Sequence, residues 1–217
     1  MEVAYPGFSV RDHAVARWVR ANDVGVHVRG SDELGAVISA GVHPYRVAVH
    51  ADGVRPDELV GCAGSLAVGM IVVRTVDHVE MIARAVGRHR RQRVAVMVDD
   101  GSGDTATVIA AVAAAARLEV VGLHADVGVT AHDYVSFPAA VGDLVCRMYR
   151  VWEAHGRMLT HLVLGAVPCS TGDWIAELGR QAEIIDQSLD DACLTLQVPR
   201  PTVTMAAVTV PGEVQAA

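Results

Sequence analysis

Short runs of β-branched and apolar residues alternate along this chain with longer stretches in which apolar positions recur every three or four residues. The short runs are EVAY (2–5), VGVHV (24–28), RVAVH (46–50), MIVVR (70–74), RVAVMVD (93–99), VVGLHAD (120–126), HLVLGAV (161–167) and TVTMAAVTV (202–210). Their length and Val/Ile content predict strands buried on both faces. The stretches between them predict helices. Val10, Ala14, Val15, Trp18 and Val19 form the first periodic stripe. The spacing predicts a second helix over 31–40, with Ser31 as its cap and acidic side chains in the first turn. Pro56 suits the first turn of a third. Further helices are expected over 75–90, 104–117, 132–156 and 172–194.

Regular β-α alternation with short loops implies parallel strands joined by right-handed crossovers. Eight strands predict closure into a (β/α)8 TIM-type barrel; an open doubly wound sheet is the alternative. The expected organisation is a single barrel domain over 1–210 and a C-terminal tail over 211–217. In a barrel, chemistry gathers where the strands end. That mouth would carry Phe8, Arg29, His50, Arg74, Asp99, His124, Asp126 and the stretch after Leu164.

Composition narrows the function. With 52% hydrophobic residues in 217, the chain can bury a sizeable core, and a formal charge of −7 argues against a nucleic-acid partner. All 18 basic residues are arginine, so no step that needs a lysine amine can draw on this chain. Cys62, Cys146, Cys169 and Cys193 form no Cys-x-x-Cys pair, which suits reduced, mostly buried thiols. The N-terminus has no signal-peptide pattern, and the longest apolar run, 106–116, is too short for a bilayer. A cytoplasmic protein without membrane contact is the expectation.

The ordered pieces resemble the diaminopimelate decarboxylase family, pyridoxal-phosphate (PLP) barrels of the alanine-racemase and ornithine-decarboxylase class. VARW (15–18) matches the first helix of bacterial members. GVHVRGSDELGAVISAGVHPYRVAVH (25–50) resembles their G-x-D-V-x-[ST]-G-G-E-L-x-x-A-L-x-A-G-x-P-P-x-R-I-x-x-H stretch. GMIVVRTVDHVEMI (69–82) is similar to G-x-I-V-V-D-S-x-x-E-I-x-x-L, and VVGLHADVG (120–128) to L-x-G-L-H-x-H-I-G-S. LVLGAVP (162–168) stands where the family has L-D-L-G-G-G-x-G, and PRPTVTMAAVTV (199–210) where it has P-x-P-x-L-x-x-E-P-G-R. The match runs in order over nearly the whole chain.

The resemblance implies a cofactor site whose parts are missing here. The family's imine-forming lysine aligns with Phe8. The glycine-rich phosphate loop keeps only Gly165, followed by Ala166, Val167, Pro168 and Cys169. Pro168 has no N–H to offer an anion. The ring-stacking histidine aligns with Asp126, the following serine with Val129, and the glutamate facing the pyridine nitrogen with Ala206. Two family arginines align with Met97 and Thr209, and only Asp99–Asp104 stands in place of a long Lys-Phe-Gly loop. His50, His124, Gly128 and Gly165 are the surviving matches, expected to be vestigial cofactor contacts. The family's C-terminal β-domain, which completes the partner subunit's site, is expected to be lacking. The resemblance therefore implies no catalytic residues, no covalent PLP and no cofactor.

His124 and Asp126, two apart on a strand, point the same way, and His27, His50 and Asp99 could join them around a metal. The plainer reading is no metal. DDGSGD (99–104) reads as a βα loop capped by Asp104, and RHRRQR (88–93) as a solvated helix end. Cys169 and Ser170 have no evident base. The expectation is a non-catalytic relative that binds a partner protein or a small ligand, with self-association over surface left bare by the absent β-domain. Two alternatives stay open: different, metal-assisted chemistry at the mouth, or a decarboxylase completed by another chain. Phe8, Val167 and Met205 pointing inward would close the mouth.

Overall fold

All eight expected strands form, and in a computed structural model of the protein they pair in sequence order around a closed parallel barrel. The structure describes residues 1–98, 105–128, 133–166 and 174–207. The strands are β1 (Glu2–Pro6), β2 (Gly25–Val28), β3 (Val47–His50), β4 (Met70–Val73), β5 (Gln92–Met97), β6 (Leu118–Val127), β7 (His161–Ala166) and β8 (Thr202–Ala207). The helices between them are α1 (His13–Ala21), α2 (Ser31–Ser39), α3 (Pro56–Gly61), α4 (Val76–Ala85), α5 (Thr105–Ala114), α6 (Phe137–His155) and α7 (Trp174–Leu196). No described helix is long and apolar enough to cross a membrane. The expectations placed on Asp99–Asp104, Val129, Val167–Ser170, Thr209 and the 211–217 tail fall outside the described residues.

Two compact units make up the chain, one holding β1–β5 with α1–α5, the other β7, β8, α6, α7 and most of β6. In the first, the register aligns Val26 with Val47, Val49 with Ile71, and Ile71 with Val94. Strand alternation then puts Val26, Val28, Val47, Val49, Ile71, Val73, Val94 and Val96 on one face. All eight are buried, as are Val19, Leu34, Val37, Leu59, Val79 and Ile82 of the helices that cover such a face in a barrel. Each fully buried Val, Leu or Ile contributes about 1.5–3 kcal/mol over its exposed state. The opposite face carries Val72, Ala95 and Met97, which pack as a cluster of their own with Met70. Met97, at the position of a family arginine, is thus a core residue of this unit.

Helix boundaries show where tertiary contacts overrule local signals. The N-cap of α2 is Gly30 rather than Ser31. The Ser31 hydroxyl instead donates to Glu58 Oε2 at 2.5 Å, tying α2 to α3. Helix α4 ends at Ala85, so RHRRQR is not a helix end. Arg90 turns back and donates to the carbonyls of Ala63 (3.1 Å) and Val68 (3.3 Å), and the fully buried Gln92 side chain donates to Val68 O at 3.0 Å. Helix α6 starts at Phe137, not 132, with Ser136 as its cap and Pro138 in its first turn. After α3 the chain continues as a π-turn over Cys62–Leu66 that the sequence pattern did not announce.

In the second unit the β6–β7–β8 register pairs Leu123 with Leu162, Leu162 with Val203, and Leu164 with Met205. These residues share one face and are buried together with Leu144, Val145 and Met148 of α6 and Ile185 and Leu189 of α7. Met205 therefore lies on the face opposite to His124 and does not point inward to close the mouth.

Candidate functional site

In the first unit, β1 runs into a tight 3-10 turn over Gly7–Arg11, which holds Phe8 half-buried. The Ser9 hydroxyl donates to the Pro6 carbonyl at 2.7 Å and fixes the turn. His27 on β2 and His50 at the end of β3 lie on the Val72 face, both buried, with ring centroids 5.8 Å apart. Arg29 follows β2, and its backbone N–H donates to Glu33 Oε2 at 2.7 Å. Burial pushes the Glu33 carboxyl up; that hydrogen bond and the Arg29 and Arg11 charges pull it back. Arg74, after β4, pairs with Asp52 at 3.2 Å in an exposed ion pair.

In the second unit, β6 extends to Val127, so His124 sits inside the strand rather than at its end and is fully buried. As the two-residue spacing predicts, His124 and Asp126 share a face, with Nε2 3.1 Å from Asp126 Oδ1. The register stacks that face in layers. His124, Val163 and Thr204 form one layer, and Asp126, Gly165 and Ala206 the next toward the strand ends. The outer layer is a largely buried carboxylate beside a glycine and a methyl group. Gly128 ends β6 in the left-handed region, φ +68°, which suits glycine. Its N–H donates to Tyr134 O at 2.9 Å, and the Tyr134 N–H returns a bond to Asp126 O at 3.2 Å.

Sequence reasoning missed what anchors Tyr134. The Tyr134 hydroxyl donates to Asp143, whose Oδ2 also accepts from Arg147 Nε at 2.6 Å. Burial pushes the Tyr134 phenol up, and the Asp143 carboxylate adds to the shift. The Asp143–Arg147 half has a sequence signal, an i,i+4 pair on a helix. Of the surviving matches, the structure brings Gly165 beside Asp126, places His124 within β6 and Gly128 just after it, and leaves His50 in the first unit with His27.

Comparison with known proteins follows the same order of elements. A curated diaminopimelate decarboxylase of Actinosynnema pretiosum subsp. auranticum is 25% identical over 94% of this chain and 51% of its own length. The crystal structure of diaminopimelate decarboxylase from M. jannaschii superposes with a TM-score of 0.77 at 14% identity, over 95% of this chain and 53% of that one. Ornithine decarboxylase from Entamoeba histolytica gives 0.72 at 16% identity, over 95% of this chain and 58% of that one. No protein-family model matches. The chain folds as a barrel like that of these decarboxylases and resembles diaminopimelate decarboxylase in sequence. It spans about half the length of the relatives it matches. On this decarboxylase-like barrel, the aligned positions Asp126, Gly165 and Ala206 fall side by side in one layer of three adjacent strands.

Proposed function

We propose that this barrel is a non-catalytic relative of the decarboxylases, which acts by binding a partner protein or a small ligand. The observation that carries the reading is the absence of lysine from all 217 residues. A PLP enzyme of this class holds its cofactor through a lysine imine, and neither Phe8 nor any arginine can form one at neutral pH. The layer at the ends of β6–β8 supports the same reading. PLP needs a group to face its pyridine nitrogen and a glycine-rich loop for its phosphate. Ala206 offers only a methyl group, and the Asp126 carboxylate repels an anion beside Gly165. The residues present do not fit the cofactor. What remains in this layer is one carboxylate, set against His124 and flanked by small residues, which suits a small cationic group.

The test is incubation of the purified full chain with PLP, read by absorbance, borohydride trapping and mass spectrometry, with carbon dioxide release from diaminopimelate followed in parallel. The expected result is no trapped adduct on any barrel side chain and no release. A borohydride-stable adduct at the strand ends, or turnover by the chain alone, overturns the reading. Turnover that appears only on adding a second chain would instead favour a decarboxylase completed from outside.

A second reading is metal-assisted chemistry. His27 and His50 are both buried, with ring centroids 5.8 Å apart, and each can offer a ring nitrogen to a metal ion. A stoichiometric metal in the purified protein, lost on His27→Ala and on His50→Ala, would favour it over the binding role.

A further inference from the structure

We propose that the groove between α1 and α2 is a docking site for an extended acidic segment of a partner protein. The groove encloses about 800 Å³. Its walls carry Arg11, His13, Arg17 and Arg20, all exposed, and its floor carries Ala16, Ala36 and Ala40. Among the described residues no carboxylate lines it, on a chain whose formal charge is −7. The nearest acids in sequence are already engaged. Asp12 caps α1, accepting from the N–H groups of Ala14 (2.6 Å) and Val15 (3.2 Å), and Glu33 accepts from Arg29.

The geometry favours a strand-like ligand. His13, Arg17 and Arg20 follow one another at i, i+4 and i+7, so they share a helix face and form a file roughly 10 Å long at about 1.5 Å per residue. Alternate side chains of an extended peptide stand about 6.6 Å apart, close to the roughly 6 Å rise from His13 to Arg17 and above the roughly 4.5 Å from Arg17 to Arg20. The Arg20 guanidinium donates to the Ala40 carbonyl at the C-cap of α2, which holds it at the end of the groove. A floor of alanines lets a peptide backbone come close. A compact polyphosphate would be held best by cations converging on one point, and a nucleic acid by a broad basic face without the opposing field of a net acidic protein. A single file of cations over an apolar floor fits neither as well. The groove lies on the helix layer, so this inference goes beyond the reading above and stands or falls separately from it.

The test uses the full chain and a fluorescein-labelled peptide of alternating glutamate and alanine, with binding followed by anisotropy at low and at moderate salt. The expected Kd is in the range of tens of micromolar, weakening with salt because exposed charges are screened. Arg11→Ser with Arg17→Ser should weaken binding about tenfold. Arg88→Ser with Arg91→Ser, which removes the same charge from the exposed α4–β5 connection, should change it less than about twofold. Circular dichroism confirms that both variants fold. The proposal is overturned by no binding below about 1 mM, by equal losses in the two variants, or by tighter binding of an RNA oligonucleotide or inorganic triphosphate than of the peptide.

Discussion

Replacing Gly122 by alanine tests the β6–β7 register that builds the Asp126–Gly165–Ala206 layer. Gly122 is buried on β6 opposite His161. A Cβ at this position would lie 2.1 Å from the His161 carbonyl oxygen and 2.8 Å from its carbon. Ordinary contact begins near 3.5 Å, so the strands must part by roughly 1.4 Å. The His161 backbone cannot simply yield, because it is paired on its other side with Thr202. Overpacking of this kind costs about 1–3 kcal/mol, and weakening two local ladder bonds adds about 1 kcal/mol each. The lower entropy of the unfolded alanine variant returns about 0.4–1 kcal/mol. The net loss is about 3 kcal/mol, which for a chain of this size lowers Tm by roughly 6–12 °C. The control is Gly35→Ala in the middle of α2, where a Cβ meets nothing within 4 Å. There the same change stabilises the helix by about 1 kcal/mol and raises Tm by roughly 2–4 °C. Thermal melts of the two variants should move in opposite directions. A Gly122→Ala protein that melts within about 2 °C of the parent would refute the register argument.

Two further outcomes follow from buried polar groups. Gln92→Leu removes a fully buried donor to the Val68 carbonyl and an acceptor for Arg90, and should cost about 1–3 kcal/mol in urea unfolding, with the m-value unchanged. Cys62, buried against Glu58, has its thiol pushed up to about 11, first by burial and then by the Glu58 charge, so Ellman's reagent near pH 8 should label exposed Cys146 at once and Cys62 only on unfolding. Because the folded pKa lies above the ordinary value of 9.0, the stability this thiol contributes is complete below pH 9 and is lost as pH rises toward 11; Cys62→Ala should remove that part of the alkaline loss.

The strands were legible because a parallel strand buried on both faces must be a short apolar run, and a barrel repeats that run at regular intervals. Among the described residues, observed ends differ from the sequence reading by two residues at most, as at β6, expected from 120 and starting at Leu118. Helix ends were less legible, because distant groups decide them. Ser31 looks like a cap, yet Glu58, 27 residues on, takes its hydroxyl. RHRRQR looks like a solvated run, yet Arg90 is drawn inward to carbonyls of the α3–β4 connection. The start of α6 was readable in Ser136–Phe137–Pro138, since a proline belongs in a first turn. At the site, spacing alone foretold that His124 and Asp126 face one way. It did not foretell that β6 starts two residues earlier, at Leu118, because the length of a strand depends on the neighbour it pairs with.

The proposed loss of cofactor chemistry need not have weakened the barrel. The contacts that hold each unit together come from the strand face covered by helices, where Val49, Ile71, Leu123, Leu162 and Leu164 are all fully buried. The described positions that align with PLP contacts lie elsewhere, in the turn after β1 and on the opposite face of β3, β5 and β6–β8. A lysine or glutamate held in such partly dry places costs desolvation, and an apolar replacement of similar place is often neutral or stabilising. Phe8 and Ala206 are replacements of that kind. Ala206 is 1% exposed, a setting in which a methyl group costs nothing and an unpaired carboxylate would cost several kcal/mol. Asp126 is the exception, since it introduces a carboxylate where the family's pattern has a histidine. Its side chain is 11% exposed and its Oδ1 lies 3.1 Å from His124 Nε2, so the carboxylate is held by a hydrogen bond rather than replaced by an apolar group. A change that relieves strain needs no function to explain it, whereas one that adds a buried charge does. Asp126 is therefore the residue in that layer at which a retained ligand should first be sought.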